Sequence, residues 1–231
     1  MSNSDLNNNK TDVIVSVLSA SLETIPVAGS FLAELIENVI PNQRQDRIVT
    51  FIKELSEKVN ELGITIEELK EKYNDPKYSM FSTNCLRYVA NEVYEEKIEY
   101  YKNLACDAIS NDEKTLIHDE RILKILGELD YFEIQYLIFY DASAFLKQDI
   151  MDKTLERIGI KFTQPSYIFA MTDEEKDEET FKQITLNNLY YSGLLEREEK
   201  YSSKGKFQGY KYKITHLGRL VLKKVGVENG R

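Results

Sequence analysis

Three observations predict a mainly α-helical chain, with an N-terminal helical bundle followed by a winged-helix-like domain carrying a small β-hairpin. Apolar residues recur at helical spacing through most of the first 110 positions. Two capping boxes, Thr65 with Glu68 and Asp130 with Glu133, mark helix starts. The last fifty residues then read helix, strand, tight polar loop, strand, helix, which is how a winged helix ends. At 231 residues the chain can bury one sizeable core or two modest ones. Its apolar and charged fractions, 42% and 30%, are those of a globular protein.

The elements follow in order. Residues 1–11 are polar and Asn-rich, and a frayed terminus is expected there. Residues 13–22 are apolar nearly all round. Pro26 then breaks the run, being suited to a kink or a helix start. A second arm places Phe31, Leu32, Leu35, Ile36, Val39 and Ile40 on one face, until Pro41-Asn42 stops it. Residues 43–62 carry a stripe of Ile48, Phe51, Ile52, Leu55, Val59 and Leu62, and Gly63 is a natural stop.

After the Thr65 box, a short helix halts at Asn74-Asp75-Pro76. One long helix is predicted over residues 77–109, with Phe81, Cys85, Tyr88, Val89, Val93, Tyr101, Ala105 and Ala108 along its inner side. A bundle over residues 12–110 therefore gives way to a connecting helix over 111–129 and a winged-helix-like domain over 130–226. Within that domain, helices are expected after Asp130, over residues 147–158 and over residues 178–191. Strands follow at about 194–198 and 210–214, and a last helix at 217–225.

Charge is uneven along the chain. The net −9 resides in residues 1–129, which hold 23 acids and 14 bases, while the remainder sums to zero. Within that remainder, residues 200–231 have nine basic residues against Glu228, and residues 173–179 have six acids against Lys176. Cys85 and Cys106 lack metal-ligand spacing and read as buried thiols of a reducing compartment. No basic leader precedes an apolar core, so secretion is not expected and the cytoplasm is.

Phosphate-binding loops, CxxC, HExxH and GxSxG are all missing. His118 beside Asp119 suggests a base oriented by a carboxylate, but no nucleophile accompanies it, and a surface histidine is the better reading. His216 falls at the junction of strand and last helix and reads as a cap or loop residue. The Glu95, Glu96 and Glu99 carboxylates read as a solvated helix face. Paired tyrosines (100/101, 136/140, 190/191) are spaced like core-edge residues with wet hydroxyls. No catalytic residue, metal ligand or cofactor is therefore expected.

Two surfaces remain. In a DNA-binding winged helix, wing lysines reach phosphates and the third helix reads the major groove. Here the phosphate contacts would be Lys204, Lys206, Lys211, Lys213, Lys223 and Lys224, and the reading residues Lys182, Gln183, Thr185, Asn187 and Asn188. The acids of residues 173–179 and a pI near 5.0 oppose that reading. The second surface is the hairpin of residues 13–40, with Val17, Leu18, Leu22, Phe31, Leu32, Leu35, Ile36 and Val39.

Each arm of that hairpin falls short of the roughly 20 residues that span a bilayer. Continuous through Pro26, it would bury Glu23 near the centre at about 2.5–3.5 kcal/mol. Burial of the hairpin at the heart of the N-terminal bundle, or under a partner subunit, is favoured over membrane contact, and a protein partner or self-association is the expected use of the two regions. DNA binding and membrane contact on activation stand as the alternatives.

Three stretches carry a family resemblance: Ile25-Pro26-Val27-Ala28-Gly29, Ile40-Pro41-Asn42-Gln43-Arg44-Gln45-Asp46-Arg47, and Ile214-Thr215-His216-Leu217-Gly218. Together they resemble bacterial abortive-infection proteins of the alpha type, which are associated with phage defence. The resemblance covers a minority of the chain. It implies a bacterial cytoplasmic setting and a defence role, and supplies no catalytic residues.

Overall fold

The computed structural model describes residues 42–142 and 172–227. The expected hairpin of residues 13–40, the polar tail before it, the helix at 147–158 and the stretch around Pro165 lie outside the described residues. Those described form eight helices and one two-stranded antiparallel sheet near the C-terminus, so the chain is mainly helical as its periodicity predicts. They fall into two compact units, one ending at Lys124 and the other beginning at Ile125.

In the first unit, α1 (Asn42–Glu61) buries Ile48, Phe51, Ile52, Leu55 and Val59 along a single stripe. Leu62, expected to extend that stripe, lies one residue past the helix and is exposed. The Thr65 box is present at α2 (Ile66–Tyr73). The Glu68 amide donates to Thr65 Oγ1 at 3.2 Å, and the Thr65 amide to Glu68 Oε2 at 2.7 Å.

The predicted long helix is two helices, α3 (Pro76–Asn91) and α4 (Glu95–Ser110). Backbone at Glu92 is extended, and its carboxylate accepts the amides of Val93 at 2.8 Å and Tyr94 at 3.1 Å, fixing the corner that leads into α4. Val93, expected inside, is 69% exposed at the corner. The break lets α3 and α4 pack on each other, and Tyr88 stacks on Tyr101 with centroids 5.8 Å apart. In one continuous helix those rings would sit about 20 Å apart along the axis. The corner buries Phe81, Cys85 and Val89 together with Tyr101, Leu104 and Ala105, and this burial outweighs an uninterrupted helix.

Helix α5 (Glu113–Glu128) crosses the boundary between units and buries Leu116, Ile122, Leu123 and Leu126. In the second unit, α6 (Tyr131–Asp141) opens on the Asp130–Glu133 box. Helix α7 (Asp173–Tyr191) begins five residues before its predicted start. Thr172 and Glu175 form a further capping box, and the acidic run supplies its first two turns. Carboxylates favour that end because they face the positive pole of the helix dipole.

Gly193, at φ +73°, turns the chain from α7 into β1 (Leu195–Tyr201), which pairs with β2 (Phe207–Ile214). Thr215, rather than His216, caps α8 (His216–Lys224), accepting from the Gly218 amide at 3.0 Å. Leu137, Leu186, Leu189, Leu194, Leu195, Ile214, Val221 and Leu222 make this unit's core.

Candidate interaction surface of the C-terminal unit

The register of the hairpin decides what its two faces carry. Residues directly opposite in an antiparallel pair share a face, and successive residues alternate. One face therefore holds Glu196 against Lys213, Glu198 against Lys211, and Lys200 against Gly209. The Lys213 ammonium also reaches diagonally to Glu198 Oε1 at 2.5 Å. Their hydrogen bond holds the Glu198 carboxyl below its ordinary range and the Lys213 ammonium above its own. Two of the expected phosphate-binding lysines thus stand among the carboxylates of the partner strand. Lys204 and Lys206 are exposed in the turn, and Lys223 is exposed in the last turn of α8, with Lys224 half-buried beside it.

The other face is aromatic. Leu195 and Ile214 anchor it in the core, and Arg197–Tyr212, Glu199–Tyr210 and Tyr201–Phe207 follow outward. The Arg197 guanidinium lies between two rings, 4.1 Å from the Tyr190 centroid and 4.3 Å from that of Tyr210. Its Nη1 donates to Asn187 Oδ1 at 3.2 Å, and the Tyr212 hydroxyl donates to the same oxygen at 3.5 Å. Edge contacts continue from Tyr210 to Phe207 and from Phe207 to Tyr201.

Contacts within the fold engage several of the residues expected to read bases, and Gln183 Nε2 donates to Glu179 Oε1 at 2.8 Å on its own helix. Asn187 ties α7 to both strands. Asn188 Nδ2 donates to Glu133 Oε1 at 2.9 Å, joining α7 to the capping box of α6. Lys182 pairs with Glu179 at 3.1 Å on its own helix. What α7 leaves outward is Phe181 at 66% exposure, Ile184 at 50% and Tyr191 at 77%. The expectation that Tyr191 lies at the core edge fails because its partner Tyr190 takes the inward position against Arg197.

Unit 1 offers structural chemistry. Its cleft, about 610 Å³, is lined by Glu68, Glu71, Lys72, Asp75 and Tyr78. Lys72 closes the end of α4 by donating to the carbonyls of Ile109 at 2.5 Å and Asn111 at 2.6 Å. Burial pushes that ammonium below its usual range. At the α3–α4 corner, Lys97 and Glu92 form a nearly buried ion pair at 3.0 Å, and Arg47 donates to the Glu92 carbonyl.

Glu99 pairs with Lys58 and Lys102, so one of the three carboxylates expected on a solvated face joins a salt-bridge network. His118 is exposed while Asp119 beside it is fully buried, because neighbours on a helix point about 100° apart. Burial raises both thiols, Cys106 to about 11 and Cys85 further, which leaves little thiolate near neutrality. Among the described residues, no group of His, Cys, Asp and Glu is placed to hold a metal ion, and no helix is long and apolar enough to cross a membrane.

The Arg197 sandwich and the Glu92–Lys97 pair were not anticipated from the sequence. Aligning residues 195–201 against 207–214 would have placed Arg197 opposite a tyrosine. No local pattern marks the buried lysine. No protein-family model matches this chain, and neither a curated protein nor a solved structure matches it.

Proposed function

We propose that this chain is a non-enzymatic protein of the bacterial cytoplasm that works by macromolecular association, in a phage-defence setting. Its contact regions are the apolar residues 13–40 and the hairpin with Lys204 and Lys206 at its tip. The observation that carries this reading is the division of labour on α7 and the hairpin. Polar groups suited to reading bases are engaged within the fold, while large apolar side chains are left in solvent. The defence setting rests on the three resembling stretches. In one of them, Ile214 is buried, Thr215 caps α8 and Gly218 packs against Leu194.

The test is purification of the tagged full chain from a bacterial cytoplasm beside two variants. One reverses charge at Lys204 and Lys206, and the other places Asp at Leu32 and Leu35. The reading expects a stoichiometric complex for the parent and its loss in at least one variant that keeps the parent's circular dichroism. A hydrolase or transferase activity that follows the purified chain and is absent from a folded variant would refute it.

A DNA-binding regulator is the rival reading. It draws on Lys204, Lys206 and Lys200, which stand on the hairpin without opposed carboxylates in the register. Membrane contact through residues 13–40 is the other rival, and liposome flotation addresses it.

A further inference from the structure

We infer that the outward face of α7 is a self-association surface, pairing antiparallel with α7 of a second copy about Ile184. The residues on this face are Asp177, Phe181, Ile184, Asn188 and Tyr191. Their spacing of four, three, four and three is the seam pattern by which two helices interlock. Phe181, Ile184 and Tyr191 are each at least half exposed, so nothing among the described residues covers the seam. Ile184 is its midpoint. Turning one copy end for end sets Ile184 on Ile184, Phe181 on Asn188 and Asp177 on Tyr191. Ile184 then packs on its own copy, Phe181 lies over Asn188, and the Tyr191 hydroxyl gains an acceptor in the Asp177 carboxylate.

Two further observations choose this occupant and this direction. Six carboxylates lie between Asp173 and Glu179, and no acidic residue follows in α7. A parallel pair would stack acid on acid. An antiparallel pair sets the acidic half of each helix beside the carboxylate-free half of the other, which ends against Arg197. A recess of about 320 Å³ also opens beside Asn188 and Tyr191, with Ile125 and Leu129 as its apolar lining and Glu128, Glu133 and Ser192 as its polar lining. That is where antiparallel register delivers the partner's Phe181 ring.

A single helix face is a small interface, below the ~1,200 Å² of a standard complex, so the dimer is reversible. The inference rests on the association reading only in taking a second copy as one partner. It does not involve residues 13–40 or the wing lysines.

Sedimentation velocity of the full chain across a wide concentration range tests it. The parent should shift from monomer towards dimer. Ile184→Glu and Phe181→Glu change exposed residues and should leave the fold intact by circular dichroism, yet move the midpoint at least about tenfold to higher concentration. Ile184→Cys should form an interchain disulfide under mild oxidation, while Tyr191→Cys should not, since antiparallel pairing separates the two ends. The buried native thiols stay out of this reaction. A parent that is monomeric throughout, a dimer indifferent to Ile184→Glu, or a Tyr191→Cys crosslink would each overturn the inference. The first of these leaves the association reading standing, which falls instead to an enzymatic activity.

Discussion

Arg197 and Lys97 show how much single side chains decide here. Arg197 fills the space between two tyrosine rings and bonds α7 through Asn187, so its charge and its flat shape both matter. Arg197→Ala should lower the urea midpoint, because it removes two cation–π contacts and the bond to Asn187. Arg197→Lys should restore only part of it, because an ammonium does not stack between rings. Urea unfolding of the three proteins checks this.

Lys97 is different, because its partner Glu92 also holds the amides of Val93 and Tyr94 just before α4. Lys97→Ala leaves a nearly buried carboxylate unpaired and should destabilise by roughly 3–5 kcal/mol. A loss under ~1 kcal/mol in the same titration would mean that water reaches the site.

At the scale of elements, local chemistry was legible and long-range packing was not. The Thr65 and Asp130 boxes, the α1 stripe and the helix–hairpin–helix ending are each written within a few neighbouring residues. The corner at Glu92 was not visible. It contains neither Gly nor Pro, and the apolar spacing of residues 77–109 continues across it. Only the burial of α3 against α4 reveals why the chain turns there. The candidate surface was half legible, since lysines can be counted in the sequence but strand register sets which carboxylates stand beside them.

Gly218 is an element-scale test of packing. A Cβ there would lie 2.5 Å from the Leu194 carbonyl and 2.7 Å from Ile214, so α8 sits on the hairpin base only without a side chain. Gly218→Ala should cost about 1–3 kcal/mol despite its better helix propensity, as a lowered melting temperature will show.

For the whole molecule, burial sets the alkaline limit of stability. Tyr73, Tyr136 and Tyr140 are each pushed up to about 12 by burial, against an ordinary value near 10. A raised folded pKa means stability that is fully present below about pH 10 and lost as pH climbs towards 12. Tyrosinate absorbance and the loss of helical circular dichroism should therefore rise together in that window. On the acid side the sign reverses. Glu68 is held low by the Thr65 amide and Glu198 by Lys213, and their contributions disappear as pH falls through and below the ordinary carboxylate range.

The same scale holds the question of partner. Net charge is −9, Asn187 and Asn188 are engaged internally, and two of the hairpin's five lysines, Lys211 and Lys213, face carboxylates. Titrating the full chain into labelled genomic duplex at low and at physiological salt puts association with protein against association with DNA most directly. Weak binding at low salt that vanishes at physiological salt, with no preference for sequence, is expected. Tight, sequence-selective binding that survives physiological salt and is abolished by charge reversal at Lys204 and Lys206 would contradict that expectation.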